Sequence, residues 1–274
     1  MYEEFYRLKA RPFSKTPDPK FLYLSKNHEE ALARLHYAVE ERELIILTGE
    51  IGCGKTTLTR ALMDTLGPEY RIINIINPGL TPVQFLRTIA MRMEIDLHVK
   101  GGHKADLLDA IYAKVYGDFE AGVSPVIIID EAQLIPSKDT FEEIRLLTNF
   151  QLDYTNLISL ILVGQPDLRR RLNHKSYLAL KQRIGLFFHL GPITEDEIKN
   201  YVMHRVRISG RDDILFSDAA IKALFRYSGG IPRLINSIAT SALLDGYAEE
   251  VAIIDESLIT SAAKELELHG HIEN

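Results

Sequence analysis

Short apolar runs alternate with stretches of helical periodicity through the first two thirds of the chain. Only helical periodicity follows Pro192. Leu44–Thr48, Arg71–Ile76, Val126–Ile129 and Leu157–Val163 read as strands, with a weaker fifth at Leu186–His189. Val126–Ile129 is wholly apolar and β-branched, as expected of a strand buried on both faces. Between the strands lie predicted helices at Glu29–Glu41, about Lys55–Leu66, Thr81 to about Met93, Lys104–Glu120 and Lys138–Phe150. The third opens on a Thr N-cap, Pro82 at the first helical position and Gln84 at the third, a strong start signal. Strands alternating with helices imply a parallel sheet covered on both sides. Past Pro192, Thr194 and Glu197 form a capping box. Helices are expected over Glu195–Ile208, Ser217–Tyr227, Pro232–Tyr247 and Asp255–Leu268. The domain boundary therefore falls near Gly191: residues 1–191 form an α/β domain with an N-terminal linker segment, and residues 192–274 a small helical one. Residues 1 to about 27 read as irregular, since Pro12, Pro17 and Pro19 interrupt any helix.

Composition narrows the class. The 274 residues are 46% hydrophobic and 26% charged, an ordinary globular balance. A net charge of −6 argues against a basic nucleic-acid coat as the whole function, while leaving room for a local basic patch. One cysteine, Cys53, forbids an internal disulfide and fits a reducing compartment. Met1–Lys9 lacks the apolar core of a signal peptide, and nothing approaches the roughly 18 apolar residues of a membrane helix. A soluble, cytoplasmic protein is expected.

Gly49-Glu50-Ile51-Gly52-Cys53-Gly54-Lys55-Thr56 matches G-x-x-x-x-G-K-[ST] and sits between a buried strand and a helix, where a phosphate loop must sit. Gly49, Gly52 and Gly54 let the backbone curl so that its N–H groups point at phosphate oxygens, and the helix N-terminus adds its positive end. Lys55 is expected to bridge the β- and γ-phosphates, Thr56 to ligand Mg²⁺, and Thr57 to support the α-phosphate. Cys53 occupies an unconstrained position of the pattern, as a small filler or as a redox switch. Val126–Ile129 ends in Asp130-Glu131. Downstream of a phosphate loop, Asp130 is placed to hold Mg²⁺ and Glu131 to polarise the attacking water. No Asn-Lys-x-Asp guanine-reading pattern occurs, so ATP is preferred to GTP.

Three further residues are candidates. Gln165 follows the fourth strand at the sheet edge where ligands bind, and there orients water or senses the γ-phosphate, or is a loop glutamine. Arg183 precedes the fifth strand and can reach a neighbouring subunit's γ-phosphate. Such a finger is worth roughly 10³–10⁵ in rate. Arg169, Arg170, Arg171 and Lys181 compete with it. Gly229-Gly230-Ile231-Pro232-Arg233 ends one helix and starts the next, which fixes Arg233 at a helix start, for closing the small domain on nucleotide or for an ordinary salt bridge. Glu142 and Glu143 read as helix-start acids. The nine histidines are scattered, without metal-binding spacing.

The phosphate loop, Ile128–Gln133, Leu162–Leu168, Gln182-Arg183-Ile184 and Gly230–Arg233 together resemble the AAA+ ATPase domain of the general secretion pathway protein A family (ExeA type). The opening Pro12-Phe13, Thr16-Pro17-Asp18-Pro19 and Phe21–Ser25 does so too, and the likeness runs from about Tyr6 to Leu266. It implies a P-loop NTPase with a parallel five-stranded sheet of order 5-1-4-3-2, a C-terminal all-helical lid, and ATP at the interface of a homo-oligomer. It makes Asp130 and Glu131 the Walker B pair, Gln165 sensor 1, Arg183 the finger and Arg233 sensor 2, and lays Phe13–Tyr23 against the adenine. Longer members continue into a membrane helix and a peptidoglycan-binding domain; the expectation here is a stand-alone ATPase domain.

Three functions follow: an ATPase that assembles a secretion or pilus apparatus with envelope proteins, a DNA-associated regulator of transposition type, and a nucleotide-binding scaffold without turnover. The second draws on the Arg169–Arg171, Lys175, Lys181 run, and salt-sensitive duplex binding discriminates it.

Overall fold

The computed structural model describes residues 1–14, 18–96, 103–153 and 155–267. Thr16, Pro17 and Leu268, which figure in the expectations above, lie outside them. The chain divides into two compact units. One comprises Met1–Glu29, Glu50–Leu58 and Gly191–Asn274, the other Glu30–Gly49 and Thr59–Leu190.

The second unit holds five parallel strands: β1 (Leu44–Gly49), β2 (Tyr70–Ile75), β3 (Ser124–Ile129), β4 (Ser159–Gly164) and β5 (Ile184–Leu190). Their order is 2-3-4-1-5, which read from the other edge is the expected 5-1-4-3-2. Thr48 lies opposite Gly164, Ile129 opposite Leu162, and Gly49 opposite Leu190, so the carboxyl ends share one edge of the sheet. β1 and β4 are buried along their whole length because they are central. β5 is an edge strand of mixed exposure, which is why its pattern was weak. Phe85, Ile89, Ile111, Phe141 and Ile144 pack against the sheet from α3 (Pro82–Arg92), α4 (Lys104–Glu120) and α5 (Lys138–Leu147), taking α1 as Lys26–Glu40 and α2 as Lys55–Thr65. The Thr81–Gln84 capping box forms as expected.

Periodicity missed α6 (Pro166–Leu172), whose charged Arg169-Arg170-Arg171 hides the apolar pair Leu168 and Leu172 four residues apart. It also missed the short antiparallel pairing of Gln151–Leu152 with Thr155–Asn156. Glu143 is not a helix-start acid. It lies buried in the second turn of α5, with Lys104 Nζ 2.6 Å away.

The first unit is helical: α7 (Glu195–Ile208), α8 (Asp218–Ser228), α9 (Pro232–Ala248) and α10 (Glu256–Glu265). Its core is Ile198, Val202, Leu224, Ile235, Leu243 and Ile259. The N-terminal segment is less irregular than its prolines suggested. Tyr2–Phe5 form a helical turn, Tyr6 is fully buried with its hydroxyl donating to the Val251 carbonyl at 3.0 Å, and Phe13 meets Phe216 edge-on at 5.6 Å.

Candidate functional site

The phosphate loop is shaped by backbone conformations that only glycine adopts freely. Gly52 and Gly54 have φ of 87° and 99°. A Cβ on Gly52 would lie 2.5 Å from that of Arg233, whose N–H donates to the Gly52 carbonyl at 3.2 Å. Arg233, exposed at the start of α9, thus touches the loop through its main chain. Lys55 is buried and donates to the Glu50 carbonyl at 2.9 Å, so its ammonium is folded back along the loop. Thr56 and Thr57 follow on the first turn of α2, both partly exposed. Cys53 is fully buried. Burial pushes its thiol upward against the pull of Lys55, so it stays protonated and unreactive, which favours the filler reading.

No motif pointed to His28. It is 2% exposed, with Nδ1 2.7 Å from Ser25 Oγ and Nε2 3.1 Å from the Cys53 carbonyl oxygen, and it sits where a Gly54 Cβ would come within 3.0 Å of Nε2. The carbonyl can only accept, so Nε2 carries the proton and Ser25 donates to Nδ1. Glu197 braces the same segment. Its carboxylate accepts from Lys26 N–H at 2.9 Å and from the Thr194 hydroxyl at 2.8 Å, and although burial works to raise its pKa, these bonds leave it lowered.

Burial holds His28 below the ordinary histidine value of 6.5, outweighing the Cys53 carbonyl and Glu197. The folded chain therefore resists a proton that the unfolded chain takes up. The stability contributed by neutral His28 is present above pH 6.5 and lost as pH falls through the depressed value, at about 1.4 kcal/mol per pKa unit. His204, lowered chiefly by burial, acts in the same direction. Melting temperature is expected to drop between pH 7.5 and pH 5.5, and to drop less in His28→Gln, as thermal scans at fixed ionic strength can check.

The acid half is built at the carboxyl edge of the sheet. Asp130 directly follows β3, is 6% exposed, and is tied down by its N–H to the Ile75 carbonyl at 2.9 Å. Its Oδ1 accepts from the N–H of Glu131 at 2.9 Å. Glu131 takes a left-handed conformation, φ 52° and ψ 40°, which costs a residue with a Cβ about 1–2 kcal/mol. It is partly exposed, and Gln133 Nε2 donates to its Oε2. Gln165 directly follows β4, the strand between β1 and β3, and stands at the N-cap position of α6 without a side-chain capping bond.

Arg183 is exposed at the opposite edge, one residue before β5 begins. Seven residues at about 3.3 Å each separate it from Leu190, about 23 Å of strand. Its competitors differ from it. Arg171 is spent in packing, with bonds to the carbonyls of Gln133 and Ile135 and its guanidinium over the rings of Phe141 and Tyr177. Arg170 pairs with Asp167. The Arg169–Arg171 run is therefore not a uniform basic face. Of the aromatic residues linked to adenine, Phe13 and Phe21 are buried in the helical unit, whereas Tyr23 keeps partial exposure beside the rings of Tyr201 and His204.

Residues 38–172 match the family model described as an AAA domain. General secretion pathway protein A of Aeromonas hydrophila is 38% identical over 268 residues, 97% of this chain and 48% of that protein. The chain thus spans about half the length of that relative. The Aeropyrum pernix ORC2 protein, solved in ADPNP-ADP complexes, aligns with a TM-score of 0.70 at 20% identity, covering 94% of this chain and 72% of that one. Cdc6p from Pyrobaculum aerophilum aligns with a TM-score of 0.67 at 17% identity, covering 93% and 70%. The two structures establish the fold, and the secretion protein bears out the resemblance carried by the sequence.

Proposed function

We propose, on the premise that this is an AAA+ chain similar to general secretion pathway protein A, that it binds ATP with magnesium and hydrolyses it. The observation that carries the proposal is the phosphate loop: glycine-only backbone angles, a buried lysine folded along it, and a helix N-terminus directly after it. Backbone N–H groups and Lys55 grip the β- and γ-phosphates. The Thr56 hydroxyl and Asp130 carboxylate are hard oxygen donors suited to Mg²⁺, which when bound neutralises the developing phosphate charge. Glu131 takes the proton of the attacking water, Gln165 orients that water, and Arg233 reads the nucleotide state for residues 192–274. Arg183 serves a neighbouring copy, so the working form is a homo-oligomer.

The client is proposed to be an envelope or secretion assembly protein, by extension from the Aeromonas relative. A cytoplasmic location belongs to the same proposal; no described helix is long and apolar enough to cross a membrane. The duplex-DNA reading keeps only the basic run it was drawn from, of which Arg170 and Arg171 are engaged within the chain.

The direct test is magnesium-dependent ATP turnover, with Lys55→Ala as the control. Losing charge-assisted bonds of about 1.5–3 kcal/mol each is expected to weaken ATP binding by tens- to a hundred-fold, measurable by calorimetry. Purified chain that neither binds nor cleaves Mg-ATP sinks the reading.

A further inference from the structure

The amide of Gln133 joins two parts of the acid half. Its Nε2 donates to Oε2 of Glu131, and its Oε1 accepts from the N–H of Gln165 at 3.1 Å. The end of β4 is shaped around it: a Cβ on Gly164 would stand 2.7 Å from Gln133 Oε1. The turn Ala132–Leu134 that carries Gln133 is itself pinned. Arg171 Nη1 donates to the carbonyls of Gln133, at 3.4 Å, and Ile135, while Nε donates to Tyr177 Oη at 3.0 Å. Glu131, meanwhile, stands in the left-handed region at φ 52°.

We propose that Gln133 is a positioning residue for Glu131. By engaging Oε2, its amide turns the other carboxylate oxygen towards the water to be activated. By accepting from Gln165 N–H, the same amide makes the position of the base depend on the end of β4. The inference rests on the hydrolytic reading above. An amide donates to a carboxylate and accepts from a main-chain N–H at once, and does so without depending on protonation. A run of Asp-Glu-Ala-Gln along the sequence shows the residue, but only the folded turn shows that its two ends face different partners.

The test is steady-state ATP turnover by Gln133→Met and Gln133→Glu beside the unaltered chain. Methionine keeps the shape and loses both bonds. With it, kcat is expected to fall about ten- to a hundred-fold while KM for ATP stays within about twofold. In Gln133→Glu the introduced carboxyl repels Glu131 when ionised, and crowding two carboxylates raises the pKa of the pair. Once protonated, the introduced group again donates and accepts. Its kcat relative to the unaltered chain is therefore expected to climb as pH falls from 8 to 5.5, a response that a merely structural role does not produce. If Gln133→Met does not fold, as judged by circular dichroism and ATP binding, the pH profile of Gln133→Glu carries the test. Turnover equal to the unaltered chain in both variants, or a raised KM with unchanged kcat, overturns the assignment and leaves the ATPase reading standing. An unaltered chain with no turnover removes that reading, and this one with it.

Discussion

Glu131→Gln is expected to bind ATP about as tightly as the unaltered chain and to cleave it some 10²–10⁴ times more slowly, the usual worth of a positioned general base. The substitution is geometrically quiet here. The introduced amide keeps an oxygen that can accept from Gln133 Nε2, and its main-chain N–H still reaches Asp130 Oδ1. Neither bond depends on the carboxylate charge for its existence, so the left-handed backbone at this position is retained. What is lost is a site for the water proton. Glu131→Gln should therefore accumulate intact ATP, which separation of bound nucleotide after gel filtration reads directly. Unchanged turnover would remove Glu131 as the base. Loss of ATP binding together with turnover would make its role structural.

The candidate site was legible where it is local in sequence. The phosphate loop lies within eight consecutive residues, and the Asp130-Glu131 pair within two, because a strand end or a helix start presents adjacent residues to one ligand. The helix boundaries at Lys104–Glu120 and Glu195–Ile208 were also legible, the second because Thr194 and Glu197 announce it. The sheet order was not written in periodicity. All-apolar strands such as β1 and β4 look alike, and the order came with the family resemblance. His28 was invisible because its partners are a hydroxyl three residues away and a carbonyl at Cys53, and a main-chain oxygen leaves no mark in sequence. Arg171 misled for the converse reason. A charged residue closing a run of three reads as a solvated face, yet its guanidinium lies over two aromatic rings and satisfies main-chain carbonyls. Glu143 shows the same limit: its partner Lys104 lies on another helix.

Arg183→Ala is expected to cut turnover by about 10³–10⁵, the range for a finger that stabilises transition-state charge, while leaving ATP affinity nearly unchanged. The parallel sheet gives the reason for expecting this in trans. β1 and β5 run side by side, with Leu44 opposite Ile184 and Gly49 opposite Leu190. Gly49 leads straight into the phosphate loop, whereas Arg183 precedes the far end of β5. An arginine side chain extends about two residues' worth of strand rise, far short of the roughly 23 Å along β5. Arg183 is exposed at the end of β5 away from Gly49, which is why the proposed finger is expected to serve a neighbouring copy. Mixing then discriminates. Arg183→Ala retains an intact phosphate loop, and Lys55→Ala retains an intact finger, so a mixed oligomer of two inactive variants contains complete sites where the first receives the second's arginine. Turnover should reappear on mixing and peak near equal proportions. Two inactive variants that stay inactive together, in particles shown by light scattering to be mixed, would exclude a shared site. An Arg183→Ala chain of normal activity would return the role to Arg169 or Lys181.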